Sequence, residues 1–454
     1  ACDWSSDVCS SDLTLAALRS QDCPPGSRRS SSAPMPRWLR YLLLVPLGLV
    51  ALATLGLFAA RAWMTDGDQQ PESATGRREV ALARGQGFMV AAAHPLAAQA
   101  GEAILEAGGS AVDAAVAVQA MLTLVEPQSS GIGGGAFMMH YDAASRALDA
   151  YDGREVAPEA ATSRLFVHEG GDPYGFVEAL VGGRSVGVPG VLRMLEAAHR
   201  AHGALPWARL FAPAIERARA GFEITPRLHL LLRRDPLFRT MPKARALYYT
   251  DDGRARPVGS VLRNPALAEV LDEVATRGAD AFYEGAIADA IVDAVEGARQ
   301  PSDWLVGLNF WMLDFGFPRG AGFLAEAPAP GLLREDDLAA YAAKTREPVC
   351  IRFRAYRVCG HPPPTSGGIT TLQILGILSS FELESIAPTS PEAAHLLVEA
   401  GKLAFADRAA YIGDPGFVDV PTEALLDPEY LASRAELISM DAALERVKAG
   451  ELLE

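Results

Sequence analysis

Residues 111–125, AVDAAVAVQAMLTLV, constrain the fold more than any other stretch of the 454-residue chain. The run contains no Gly or Pro, and the helix it predicts is apolar on nearly every side. Such a helix has no face suited to water, so other elements must cover it all round. The chain therefore has to build a multi-element core with this helix at its centre. The flanks agree. Ser110 and Asp113 have the spacing of a capping box, and Gly108–Gly109 closes a preceding helix that Pro95 opens.

Composition narrows the possibilities. With 49% hydrophobic and 21% charged residues, most of the chain is expected to be globular. A net charge of −15 excludes nucleic acid as a partner, because phosphate binding needs clustered Lys and Arg. The five cysteines and eight histidines show no C-x-x-C or H-E-x-x-H spacing, so neither metal nor cofactor is expected.

The N-terminal part divides into three. Residues 1–34 are Ser-rich and repeat S-S-D, which suggests a disordered or non-native leader ahead of Met35. Residues 35–64 carry a signal anchor or transmembrane helix, since positions 41–60 are 20 residues without a charge. Arg28, Arg29, Arg37 and Arg40 precede that run, so the rest of the chain is expected on the periplasmic or extracellular side of an inner membrane. Residues 65–79 are polar and turn-rich, a linker to the globular region 80–454.

The segment SSGIGGGAFMMHYD (129–142) satisfies G-x-G-x-x-A at Gly131, Gly133 and Ala136. A dinucleotide cradle needs a strand before the glycines and a helix after them. Here the glycines follow the 111–125 helix and precede two strand-like runs, AFMMHYD and RALDAYD. They are therefore read as scaffold that permits close backbone packing. Residues 190–220 and 264–296 look helical, as does Pro391–Tyr411. CIRFRAYRVC (350–359) alternates as a hairpin about Arg354–Ala355, which would set Cys350 opposite Cys359. A disulfide fits that register, although neither turn residue is the Gly or Asn that a primed turn prefers. Free thiols are the alternative.

Four segments in order, EPQSSGIGGGAFMM (126–139), DGREVAP (152–158), PPPTSGGI (362–369) and FADRAAYIGDPGF (405–417), resemble the gamma-glutamyltransferase (glutathione hydrolase) family, over roughly residue 85 onward. The resemblance implies the N-terminal-nucleophile hydrolase fold, an α+β αββα four-layer sandwich, here its large-subunit part only. It also implies a precursor that cuts itself ahead of a Thr, whose hydroxyl then attacks a γ-glutamyl amide such as glutathione. Arg154 takes the position of the family's Arg that pairs with the substrate α-carboxylate, a role suited to a guanidinium fork. Read from residues alone, Arg154 could instead pair with Asp152 or Glu155.

The family's nucleophile, in a T-T/S-H-x-S segment, would lie beyond Glu454. No catalytic residue is therefore expected in this chain, which is expected to be inactive without its small-subunit partner. A cephalosporin-acylase-like enzyme and a non-catalytic γ-glutamyl-binding protein are the alternatives. Ser366 lacks a nucleophile elbow, and His361 is expected as a polar surface residue. Asp407 and Arg408 are expected to make structural ion pairs. Residues 300–330 depart from the family pattern, with Trp304, Phe310, Trp311, Phe315, Phe317 and Phe323 either forming a contact patch or folding back as a covered loop.

Overall fold

The helix over 111–125 is covered as its sequence requires: after Ala111, none of its residues is exposed. In this computed structural model the described residues are 82–235, 237–301 and 326–452, within a unit that spans Glu79–Glu454. The leader 1–34, the anchor 35–64 with its run 41–60, the linker 65–79 and the aromatic residues Trp304 to Phe323 lie outside the described residues. Among the described residues, no helix is long and apolar enough to cross a membrane.

In chain order, the longer helices are α1 (Pro95–Glu106), α2 (Ala111–Val125), α3 (Val191–His202), α4 (Trp207–Ala220), α5 (Pro226–Arg234), α6 (Pro265–Arg277), α7 (Ala286–Glu296), α8 (Gly367–Leu378), α9 (Pro391–Tyr411) and α10 (Pro428–Ala435). The strands that matter for the site are β1 (Ala136–Tyr141), β2 (Leu148–Gly153), β3 (Lys344–Arg346), β4 (Val349–Phe353) and β5 (Tyr356–Gly360). The Ser110–Asp113 capping box forms as expected.

α2 packs against α1, α3 and α4, and α4 in turn packs on α6. Asp113 is fully buried in this bundle. Its Oδ2 accepts the backbone N–H groups of Ser110, Ala204 and Leu205, at 2.8, 2.9 and 3.0 Å. One carboxylate thus ties the start of α2 to the turn between α3 and α4. Buried Val112, Val116, Met121, Leu124 and Val125 each contribute about 1.5–3 kcal/mol of transfer free energy.

β1 and β2 form the expected hairpin, His140 opposite Asp149 and Ala136 opposite Gly153. β3 joins β2 antiparallel, Asp152 opposite Lys344, and α3 covers β2. A second apolar core gathers α8, α9 and α10 around Ile369, Leu396, Leu403 and Tyr430, with the β4–β5 hairpin packed on α8. There Arg434 and Asp407, both buried, form an ion pair at 3.0 Å, as expected for Asp407. Arg408 departs from expectation: its Nε donates to the Ser366 hydroxyl at 2.7 Å, because it sits one position round the helix and points away from the core.

The β4–β5 register places Cys350 opposite Cys359 with Arg354–Ala355 as the turn. A disulfide joins the two cysteines, with Cα atoms 4.1 Å apart. Arg354 supplies the left-handed backbone of the turn, with φ at 55°. The ends of the 300–330 insert pair with each other, Arg299–Pro301 antiparallel to Glu326–Pro328. Among the described residues the strands make one three-stranded sheet and three two-stranded ones. The mixed α/β class therefore stands, while the facing pair of larger sheets is not complete within them.

Candidate substrate-binding site

The glycine run ends against Glu155, the chain neighbour of the residue that the sequence singled out. The Gly134 carbonyl accepts the N–H groups of Gly190 and Val191, at 2.9 and 3.2 Å. A Cβ on Gly135 would collide with the carboxylate and backbone of Glu155. A Cβ on Gly190 would collide with the Gly153 carbonyl and the Tyr341 hydroxyl. The loop after α2, the end of β2 and the start of α3 thus meet backbone to backbone, which only glycine permits. Gly131 is also held, its carbonyl accepting from Gln119 Nε2 at 3.1 Å. The run is packing scaffold, and the strand hairpin that follows it rules out a phosphate cradle.

Arg154 follows the last residue of β2. Its backbone is tied on both sides: the N–H donates to Asp152 Oδ1 at 2.9 Å, and the carbonyl accepts from the Tyr341 hydroxyl at 2.7 Å. Burial, reinforced by Asp152 and Glu155, pushes the Tyr341 hydroxyl well above the usual tyrosine range, so it remains a donor. The Arg154 residue itself is exposed, its guanidinium carbon 5.9 Å from the centre of the Phe137 ring.

The other oxygen of Asp152 is taken by a different arginine. It accepts from Arg346 Nε at 2.6 Å, on the neighbouring strand β3. Asp152 is buried and its two oxygens are taken, one by Arg346 and one by the Arg154 backbone. Among the described residues, no ion pair forms between the Arg154 side chain and Asp152 or Glu155. The arrangement leaves one cation facing outward on a fixed backbone.

His361 corrects an expectation. It is buried, not a surface residue. Its Nδ1 lies 2.9 Å from the Pro362 carbonyl and its Nε2 3.2 Å from the Tyr151 carbonyl, while its ring packs 4.5 Å from that of Phe137. The histidine fastens the PPPTSGG segment to the sheet that carries Arg154. The glycines there serve close approach, as a Cβ on Gly368 would meet the His361 carbonyl. Ser366 precedes the first turn of α8 and is held by Arg408, so it is not presented as a nucleophile.

Beside this cluster lies an open cavity of about 710 Å³, with Thr345, Arg346, Glu347, Pro362, Pro363 and the loop 415–420 among its lining. Arg346 therefore faces the cavity and holds Asp152 at once. Arg346, Tyr341 and Phe137 escaped the sequence reading. None sits in a recognisable local motif, and Arg346 reaches Asp152 across 194 positions of chain.

The fold and site define a mixed α/β scaffold in which a buried carboxylate joins the backbone of the exposed Arg154 to Arg346, which lines an open cavity. A sequence profile of the gamma-glutamyltranspeptidase family matches residues 97–451. The glutathione hydrolase proenzyme of Bacillus subtilis strain 168 is 37% identical over 369 residues, covering 81% of this chain and 57% of that protein. The acylase ACY 1 proenzyme of Pseudomonas sp. strain SE83 is 34% identical, covering 80% of this chain and 60% of its own. The solved gamma-glutamyltranspeptidase of Helicobacter pylori superposes with a TM-score of 0.71 at 28% identity, over 81% of this chain and 97% of that one. The chain belongs to the gamma-glutamyltranspeptidase family. It spans about three fifths or less of the length of these curated relatives.

Proposed function

We propose that this chain is the large-subunit region of a gamma-glutamyltransferase, acting on glutathione or related γ-glutamyl amides with a small subunit cut from the same precursor. Arg154 binds the α-carboxylate of the γ-glutamyl group. The observation that carries this reading is the occupied Asp152: with Arg346 on its carboxylate, the exposed Arg154 guanidinium is left for an external carboxylate. The fixed Arg154 backbone sets the register of the substrate. A Thr of the small subunit, its hydroxyl activated by its own α-amine, attacks the γ-amide carbon and expels the amine. Water or an acceptor amine then resolves the γ-glutamyl ester. The two facing sheets of the four-layer sandwich are completed by that subunit.

The uncharged run 41–60, with arginines before it, supports an inner-membrane anchor and an exported main body. The Cys350–Cys359 bridge supports the same placement, since disulfides persist in oxidising compartments. A second reading, an acylase of the same family, is favoured by the likeness to the acylase ACY 1 proenzyme.

The test is the steady-state kinetics of the protein produced with its small-subunit segment, on a chromogenic γ-glutamyl anilide, on the 4-aminobutyryl anilide, which lacks the α-carboxylate, and on the glutaryl anilide, which keeps that carboxylate and lacks the α-amine. Arg154→Ala should lower kcat/KM for the γ-glutamyl substrate by ~10²-fold or more, as expected for loss of a charge-assisted pair. The 4-aminobutyryl substrate should be little affected. Equal loss on the γ-glutamyl and 4-aminobutyryl substrates would remove Arg154 from this role, and a glutaryl reaction faster than the γ-glutamyl one in the unaltered protein would favour the acylase.

A further inference from the structure

At the far end of the β1–β2 hairpin from Arg154, folding gathers two imidazoles and a carboxylate. His140 on β1 lies opposite Asp149 on β2, and His202, the last residue of α3, reaches the same point from the covering helix. Asp149 Oδ2 lies 3.7 Å from His140 Nδ1 and 3.3 Å from His202 Nε2. The two imidazole rings stack with centroids 3.8 Å apart. His140 Nδ1 is buried without a hydrogen-bond partner, and Tyr151 Oη lies 2.7 Å from His202 Nε2.

Two neutral imidazoles and a carboxylate are the donor set of a zinc-type ion. Ligands about 2.0–2.1 Å from a tetrahedral ion lie about 3.3 Å from one another, close to both donor separations here. One ligand atom from each residue falls within 4.8 Å of the others. An ion between them would satisfy the orphan His140 nitrogen, which no hydrogen bond reaches. None of the three residues belongs to the Arg154 cluster, and Asp149 precedes Arg154 by five positions of chain, about 17 Å along an extended strand.

We propose that His140, Asp149 and His202 form a binding site for a divalent transition-metal ion of the zinc class, which clamps the β1–β2 hairpin to the C-terminal end of α3. Such a clamp ties the two strands of one hairpin to a helix later in the chain and stabilises the sheet that carries Arg154, without touching the substrate.

The experiment titrates Zn²⁺ alone into the metal-stripped full-length protein, followed by calorimetry and by the thermal unfolding midpoint. Co²⁺ substitution, read by visible absorption, reports tetrahedral geometry. One ion should bind per chain and raise the midpoint. His140→Gln and His202→Gln should each weaken binding by more than the ~10-fold that loss of an outer-shell partner costs. His168→Gln, at an exposed histidine elsewhere, should leave it unchanged. Asp149→Asn keeps the side-chain size and tests the third ligand if a histidine variant fails to fold. Zn²⁺ binding equal in the unaltered protein and in Asp149→Asn, or no binding by the folded protein, would overturn the proposal.

Discussion

Arg346 donates from Nε to one oxygen of Asp152 at 2.6 Å, and the other oxygen of that carboxylate holds the backbone N–H of Arg154 at 2.9 Å. One buried carboxylate thus joins β3 to the end of β2 and fixes the residue that follows it. Removing the arginine strands the anion. Arg346→Ala should cost about 3–5 kcal/mol of stability, the usual penalty for an uncompensated buried charge. Arg346→Met with Asp152→Leu should recover much of that loss, since a packed apolar pair replaces the ions. Urea unfolding of the three proteins checks this. A loss below about 1 kcal/mol in Arg346→Ala, the scale of an exposed pair, would show that the pair is solvated.

The glycines of the 131–135 run and its neighbours should differ sharply in tolerance. Nothing lies within 4 Å of a Cβ built on Gly133, whereas one on Gly190 meets the Gly153 carbonyl and the Tyr341 hydroxyl. Gly133→Ala should be neutral within about 0.5 kcal/mol. Gly190→Ala should cost about 1–3 kcal/mol or more, because backbone cannot give way as a side chain can. Thermal unfolding of the two variants separates a packing role from a uniformly flexible loop, which would tolerate both.

Much of this was legible in the chain, for physical reasons that differ by element. The apolar helix, its capping box and the β1–β2 hairpin depend on local patterning, so residues 110–153 could be read directly. The β4–β5 register followed from alternation about Arg354–Ala355. The partners of those elements could not be read in that way. Arg346 on Asp152, Tyr341 on the Arg154 carbonyl and His202 beside His140 are all contacts across long stretches of chain. His361 looked like a surface residue because its sequence neighbours are prolines and glycines. Its burial comes from the sheet that folding places over it.

The Cys350–Cys359 bridge closes a short loop, with a sequence separation of 9. Chain-entropy arguments assign such a loop about 2.7 kcal/mol of stabilisation through the unfolded state. Cys350→Ser with Cys359→Ser should therefore lower stability by about 2–3 kcal/mol, and reductant should lower the midpoint of the unaltered protein but not of the variant. Titration of the unfolded, unreduced protein should find no thiol from this pair. A reductant effect of equal size in both proteins would assign the stabilisation elsewhere.

His94 gives the stability a pH dependence whose sign is fixed by its surroundings. It is buried at the start of α1, where its Nδ1 accepts the Leu96 N–H at 3.1 Å as the helix N-cap. Burial lowers its pKa below the ordinary histidine value of 6.5, because the charged ring is poorly solvated and its capping nitrogen must stay unprotonated. The unfolded chain then binds more protons than the folded one just below that value. The contribution is therefore present above about pH 6.5 and is lost as pH falls through the lowered folded value. His94→Asn keeps a good N-cap without a titrating group. Urea midpoints measured from pH 7.5 down to pH 5 should fall less steeply in the variant than in the unaltered protein, as only the difference between the two profiles belongs to His94. Parallel profiles would mean that this ring titrates alike in both states, and the acid sensitivity of the fold would then have to lie in other groups.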